Sequence, residues 1–104
     1  MFTFIETNLF TKLVHEYLSD EEYDQLQQAL ILDPEAGAVI KGSGGVRKIR
    51  WAGKGRGKRG GFRVIYFIHR RNEEIWLLTI YPKSVIDSIP GQVLKQIREE
   101  IEND

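Results

Sequence analysis

Apolar residues recur along the first third of the chain at helical spacing and along positions 46–81 at strand spacing. Phe2 and Phe4 fall on one side of a short opening strand by the two-residue period. Leu9, Phe10, Leu13, Val14, Tyr17 and Leu18 then form the i, i+3, i+4 stripe of a helix that Thr7 or Asn8 can cap. Ser19-Asp20-Glu21-Glu22 is a capping box whose acids suit the positive end of a second helix. That helix is expected to bury Tyr23, Leu26, Ala29, Leu30 and Ile31, and Asp33-Pro34 ends it.

Residues 35–45 are a Gly-, Ala- and Ser-rich connection. Val46 to Trp51 alternates cations with apolar residues, and Phe62 to His69 is a β-branched and aromatic run, so both are strands. Arg70 to Glu74 is a hairpin turn. Ile75 to Tyr81 is almost continuously apolar, the pattern of a central strand covered on both faces. Pro82 ends it, and Pro90 opens a last helix with Val93, Leu94, Ile97 and Ile101 as its buried stripe. The expected architecture is α+β, one domain over residues 1–104. Its order is β-α-α-β-β-β-α: an N-terminal helical hairpin, a twisted, mainly antiparallel sheet and a C-terminal helix, with the helices on one face of the sheet.

Composition changes this picture through segregation rather than totals. The formal net charge is zero, yet positions 41–63 hold nine Lys and Arg, eight Gly and no acid. With Arg70 and Arg71, eleven of the fifteen cations lie between Glu35 and Glu73, a stretch without an acid. Like charges so crowded repel each other, and a polyanionic partner that releases counterions accounts for keeping them together. There is no Cys, hence no disulfide framework or thiolate chemistry. The apolar runs are too short to span a bilayer and the N-terminus lacks a signal-peptide pattern, so a soluble, cytoplasmic setting is expected. No metal-ligand spacing is present, and the glycine-rich loop is no P-loop.

The middle of the chain carries a resemblance. Tyr17 to Tyr23 (YLSDEEY), Gly42 to Arg50 (GSGGVRKIR), Gly53 to Tyr66 (GKGRGKRGGFRVIY) and Leu77 to Lys83 (LLTIYPK) together resemble the RelE/ParE superfamily of toxin–antitoxin proteins, its HigB-like branch in particular. The resemblance implies a RelE-like fold and a ribosome-dependent endoribonuclease that cuts mRNA in the A site without a cofactor. It also implies a cognate antitoxin, HigA-like and DNA-binding, as partner alongside ribosome and mRNA. Residue by residue it points to Lys48 and Arg50 of Lys48-Ile49-Arg50, to Arg63, and to Lys83 as catalytic. Where RelE has an arginine after that lysine this chain has Ser84, and no C-terminal tyrosine matches. Tyr81 is the nearest aromatic candidate.

The residue types suit the reaction. Cleavage through the 2′-hydroxyl requires a base, cations to stabilise the phosphorane, and an acid for the leaving 5′-oxygen. Positions 48 and 50 share a strand face, and an adjacent antiparallel strand brings Arg63 within reach. Arginine forks fit phosphate oxygens, and crowded cations favour a neutral lysine that can serve as base. The same residues could equally hold RNA phosphates without chemistry. Arg47, Lys54, Arg56, Lys58 and Arg59 are expected to dock ribosomal RNA, the last four on a loop too glycine-rich to preorganise a transition state. Trp51 either stacks a base or packs in the core; His15 is a surface residue and His69 a strand-end residue. Two other readings stay open: a ParE-like gyrase poison, and a non-catalytic or inactivated RNA-binding toxin.

Overall fold

One strand, Phe62–His69, lies at the middle of a five-stranded sheet and divides the molecule into two differently built faces. The computed structural model describes residues 1–52, 61–83 and 90–102. Its elements are β1 (Thr3–Glu6), α1 (Asn8–Tyr17), α2 (Asp20–Leu32), β2 (Ala38–Val39), β3 (Arg47–Trp51), β4 (Phe62–His69), a 3-10 turn (Arg70–Asn72), β5 (Glu74–Pro82) and α3 (Gly91–Glu102). The sheet order is β1-β5-β4-β3-β2, with β1 parallel to β5 and every other neighbour antiparallel. This is the expected α+β order with one addition, the two-residue β2 inside the predicted connection.

The helix caps form as the sequence predicts. Thr7 Oγ1 accepts the Phe10 amide at 3.0 Å, and the Ser19–Glu22 box closes with hydrogen bonds of 3.1 and 2.8 Å. Of the α1 stripe, Leu9 departs and stays exposed, while Phe10, Val14 and Leu18 are buried. Two apolar clusters lie on opposite sides of the sheet. Phe62, Val64, Tyr66 and Ile68 of β4 join Phe10, Val14, Leu26 and Leu30 of α1 and α2. Ile65 and Phe67 join Leu94 of α3, with Ile97 and Ile101 packed alongside. The helices therefore cover both faces, not one as the sequence reading expects. The alternating apolar positions of β4 and β5 leave two surfaces to remove from water, and a single helix layer can cover only one.

An irregularity in β5 sets which residues share a face. Ile65 pairs with Thr79 but Tyr66 with Leu77, leaving Leu78 as an extra residue. Beyond this bulge the alternation reverses, so Ile80 joins the face of Ile75 and Leu77 while Tyr81 joins that of Trp76 and Leu78. Thr7 holds the bulge in place, its hydroxyl donating to the Leu78 carbonyl at 2.7 Å and its amide to the Leu77 carbonyl at 3.1 Å. Among the described residues no helix is long and apolar enough to cross a membrane.

Candidate functional site

The register of the three central strands decides where the charges meet. Arg50 of β3 stands opposite Arg63 of β4, and Arg63 stands opposite Tyr81 of β5. Directly paired residues point to the same side of a sheet, with Cα atoms about 4.5–5.5 Å apart. Arg50, Arg63 and Tyr81 are thus one row across three strands, and Lys48 lies two residues along β3 on the same side. Lys83 follows where β5 ends, its amide directed at the Gly61 carbonyl at 3.4 Å, which holds the end of β5 against the start of β4. Lys48, Arg50, Arg63 and Lys83 consequently line one cleft of about 540 Å³, with Ala36 and Ala38 as its small-residue wall.

Among the described residues no acid lines this cleft. Arg63 is only 7% exposed, so its guanidinium is held largely out of water beside a second arginine. Like charges placed opposite each other on a sheet are destabilising, and an anion between them reverses the sign of that interaction. Tyr81 is buried at 4% exposure; burial raises its phenol above the ordinary value while the charge of Arg63 pulls it back down. Through neutral pH it is therefore a hydrogen-bond donor. Among the described residues no group of three His, Asp or Glu side chains could hold a metal ion.

Backbone geometry brings the two arginines together. Gly61 has φ of +51°, and a Cβ there would lie 2.7 Å from the Trp51 carbonyl oxygen. Only glycine lets β4 begin this close to the end of β3, which puts position 63 opposite position 50. The wall is anchored from the other side of the sheet. The Tyr66 hydroxyl donates to the Pro34 carbonyl at 2.7 Å and accepts the Gly37 amide at 2.9 Å. Arg47 Nη1 donates to the Gly37 carbonyl at 2.7 Å and to that of Glu35 at 3.2 Å. Both side chains fix the segment that carries Ala36 and Ala38.

Comparison with solved structures places this arrangement in a known frame. No family model matches the sequence. A chain of the intact E. coli RelBE toxin–antitoxin complex superposes with a TM-score of 0.57 at 16% identity, covering 79% of this chain and 96% of that one. The E. coli toxin RelE, solved free as a double arginine-to-alanine mutant, gives a TM-score of 0.61 at 15% identity over 93% of this chain and 96% of its own. The fold is RelE-like.

Within this RelE-like frame the residues expected at the site divide into three groups. Lys48, Arg50, Arg63 and Lys83 converge, with Tyr81 at the end of their row. Arg47 and Trp51 do not join them. Arg47 has its guanidinium on two backbone carbonyls, and Trp51, paired with Phe62, packs against the α1–α2 core, the second of the two roles open to it. Lys54, Arg56, Lys58 and Arg59 lie outside the described residues. His15 is on the surface and His69 ends β4 beside Glu74 at 3.6 Å. Sequence reasoning passed over Tyr66 and the Ala36–Ala38 wall; a tyrosine amid an aliphatic strand was the available signal.

Proposed function

We propose that this chain is the toxin of a type II toxin–antitoxin system, an endoribonuclease that cuts mRNA in the A site of the translating ribosome. The observation that carries this reading is the convergence of Lys48, Arg50, Arg63 and Lys83 in one cleft beside Tyr81, with no acid among the described lining residues, on a RelE-like fold. A scissile phosphate in the cleft is gripped by Arg63 and Arg50, whose bidentate contacts strengthen as charge builds on the phosphorane. Lys48 or Lys83 takes the proton of the attacking 2′-hydroxyl, and Tyr81 supplies a proton toward the leaving 5′-oxygen. The bond formed is 2′-oxygen to phosphorus and the bond broken is phosphorus to 5′-oxygen, so a cyclic phosphate and a 5′-hydroxyl result. The antitoxin, of the HigA-like kind, presents an acidic segment that folds onto the cationic side and blocks it.

Purified protein added to a translating extract, with message ends mapped by primer extension, tests this. Codon-phased cuts are the expected result. Intact message with arrested DNA replication would favour a gyrase poison instead, and intact message throughout would leave a non-catalytic binder. Arg63→Ala is expected to weaken the cuts by about 10²–10³-fold while circular dichroism stays unchanged.

A further inference from the structure

A second cationic cleft lies at the other end of β4. It encloses about 710 Å³ and its lining includes His69 and four arginines: Arg70, Arg71, Arg98, and Arg47, whose guanidinium stays on the Glu35 and Gly37 carbonyls. They come from four places in the chain: β3, the strand end, the 3-10 turn and α3. Convergence of this kind is a product of the fold rather than of a local basic run. Among the described residues no acid lines it; Glu74 stands 3.6 Å from His69 at its edge, and Glu35 pairs with Arg70 across an exposed contact that orients it while adding little to stability.

Arg98 reaches the cleft from α3. Its guanidinium carbon lies 5.9 Å from the centre of the Phe67 ring, within the range of a cation–π attraction. Gly44, at φ of +76°, makes room for it: a Cβ there would come within 2.6 Å of Arg98 Nε. Guanidinium groups gathered around one cleft suit phosphate oxygens, which accept two parallel hydrogen bonds from each planar fork. Arg63 and His69 are six residues apart on one strand, so the two clefts are separated by about 20 Å. A polymer with a charge every few ångströms can occupy both at once, whereas an acidic peptide offers no such regular spacing.

We propose that this cleft is a phosphate-binding exosite for single-stranded RNA, which grips the strand away from the cleft that holds Arg63. The proposal rests on the RNA reading of that first cleft only in its choice of polymer. The test uses 2′-O-methyl RNA, which cannot be cut through its 2′-oxygen, in two lengths. One is a tetranucleotide; the other has about twelve nucleotides, twice the roughly six that 20 Å requires at 3.4 Å per nucleotide. Fluorescence anisotropy is read against salt for the native chain, for Arg71→Glu on the exposed turn, and for Arg71→Ala combined with Arg98→Lys.

Both variants are expected to bind the longer RNA on the order of tenfold more weakly. Their slope of log K against log salt should be shallower by about 1, while tetranucleotide affinity is unchanged. Unchanged affinity and slope in the charge-reversed Arg71→Glu chain would overturn the exosite. So would native-strength RNA binding in both variants together with lost binding of a glutamate-rich peptide, which would make the cleft a protein-docking site. Because the readout is binding, absence of codon-phased cuts would sink the nuclease reading and leave this result standing, and the reverse holds too.

Discussion

The two faces of β4 are written by the same eight residues and come out opposite in character. Its even positions, Phe62, Val64, Tyr66 and Ile68, go to the α1–α2 side and belong to a buried cluster that has twelve members among the described residues. Its odd positions, Arg63, Ile65, Phe67 and His69, face the α3 side, where the buried cluster among the described residues has six. Clefts of about 540 and 710 Å³ open at the strand's two ends. Among the described residues one side is a closed core, and the other is a smaller apolar cluster between two cationic openings. The period of two lets a strand be scaffold and site together, so the rigidity that the even residues supply is delivered directly to Arg63.

The comparison is sharpest if the closed side is broken first. Phe10 has no exposed surface and its ring packs 5.7 Å from that of Tyr23. Phe10→Ala is expected to lower unfolding free energy by about 3–5 kcal/mol, because the surrounding cluster cannot collapse into the void. Leu94→Ala on the α3 side should cost less, since among the described residues fewer buried neighbours surround it. Urea unfolding of both variants checks the order. Equal losses would mean that the α3 side is as tightly built as the other.

Arg63→Ala comes next and should do the reverse, leaving stability near native and reducing cleavage by about 10²–10³-fold, as for loss of one transition-state donor. Arg63→Lys keeps the charge but not the fork, and should recover only part of that loss. Full recovery by lysine would show that charge alone, rather than bidentate geometry, does the stabilising.

Tyr66→Phe probes the link between the faces. Its hydroxyl reaches from the closed side to the segment that walls the cleft, so removal strands the Pro34 carbonyl and the Gly37 amide. A loss of about 1–3 kcal/mol is expected, from buried backbone groups left without partners. KM for RNA should rise more than kcat falls, because the wall shapes the cleft and takes no part in chemistry. A change in kcat alone would contradict that role.

Much of this was legible beforehand for definite reasons. The capping residues Thr7 and Ser19, the span Phe62–His69 and the meeting of Lys48, Arg50 and Arg63 follow from local hydrogen bonding and from a period of two. The face of Tyr81 did not, because a bulge at Leu78 shifts the alternation and an unbroken apolar run cannot show where its phase slips. The side taken by α3 was hidden too. Its stripe of Leu94, Ile97 and Ile101 records that one side of the helix is buried, not which side of the sheet it meets. The exosite was obscured because Arg98 of α3 lies far in sequence from Arg47, Arg70 and Arg71, and only the fold brings them to one cleft.

The smallest effect belongs to a contact that fastens the closed side to the sheet edge. Glu6 of β1 accepts from Thr11 of α1 and Tyr23 of α2, both at 2.6 Å. Burial first, and then the Glu6 carboxylate, push the Tyr23 phenol far above its ordinary value of 10.0, so the folded chain keeps a proton that the unfolded chain releases. That stabilisation is complete below pH 10 and falls away as pH rises beyond it, by about 1.4 kcal/mol per pH unit for each such proton. Tyr66 and Tyr81 are raised in the same direction and add to the slope. Tyr23→Phe should therefore cost about 1 kcal/mol at neutral pH, since Thr11 still serves Glu6, and should remove one proton's share of the alkaline slope. Urea midpoints from pH 8 to 11 measure both quantities, and an unchanged slope would mean that Glu6 does not hold the phenol in its protonated form.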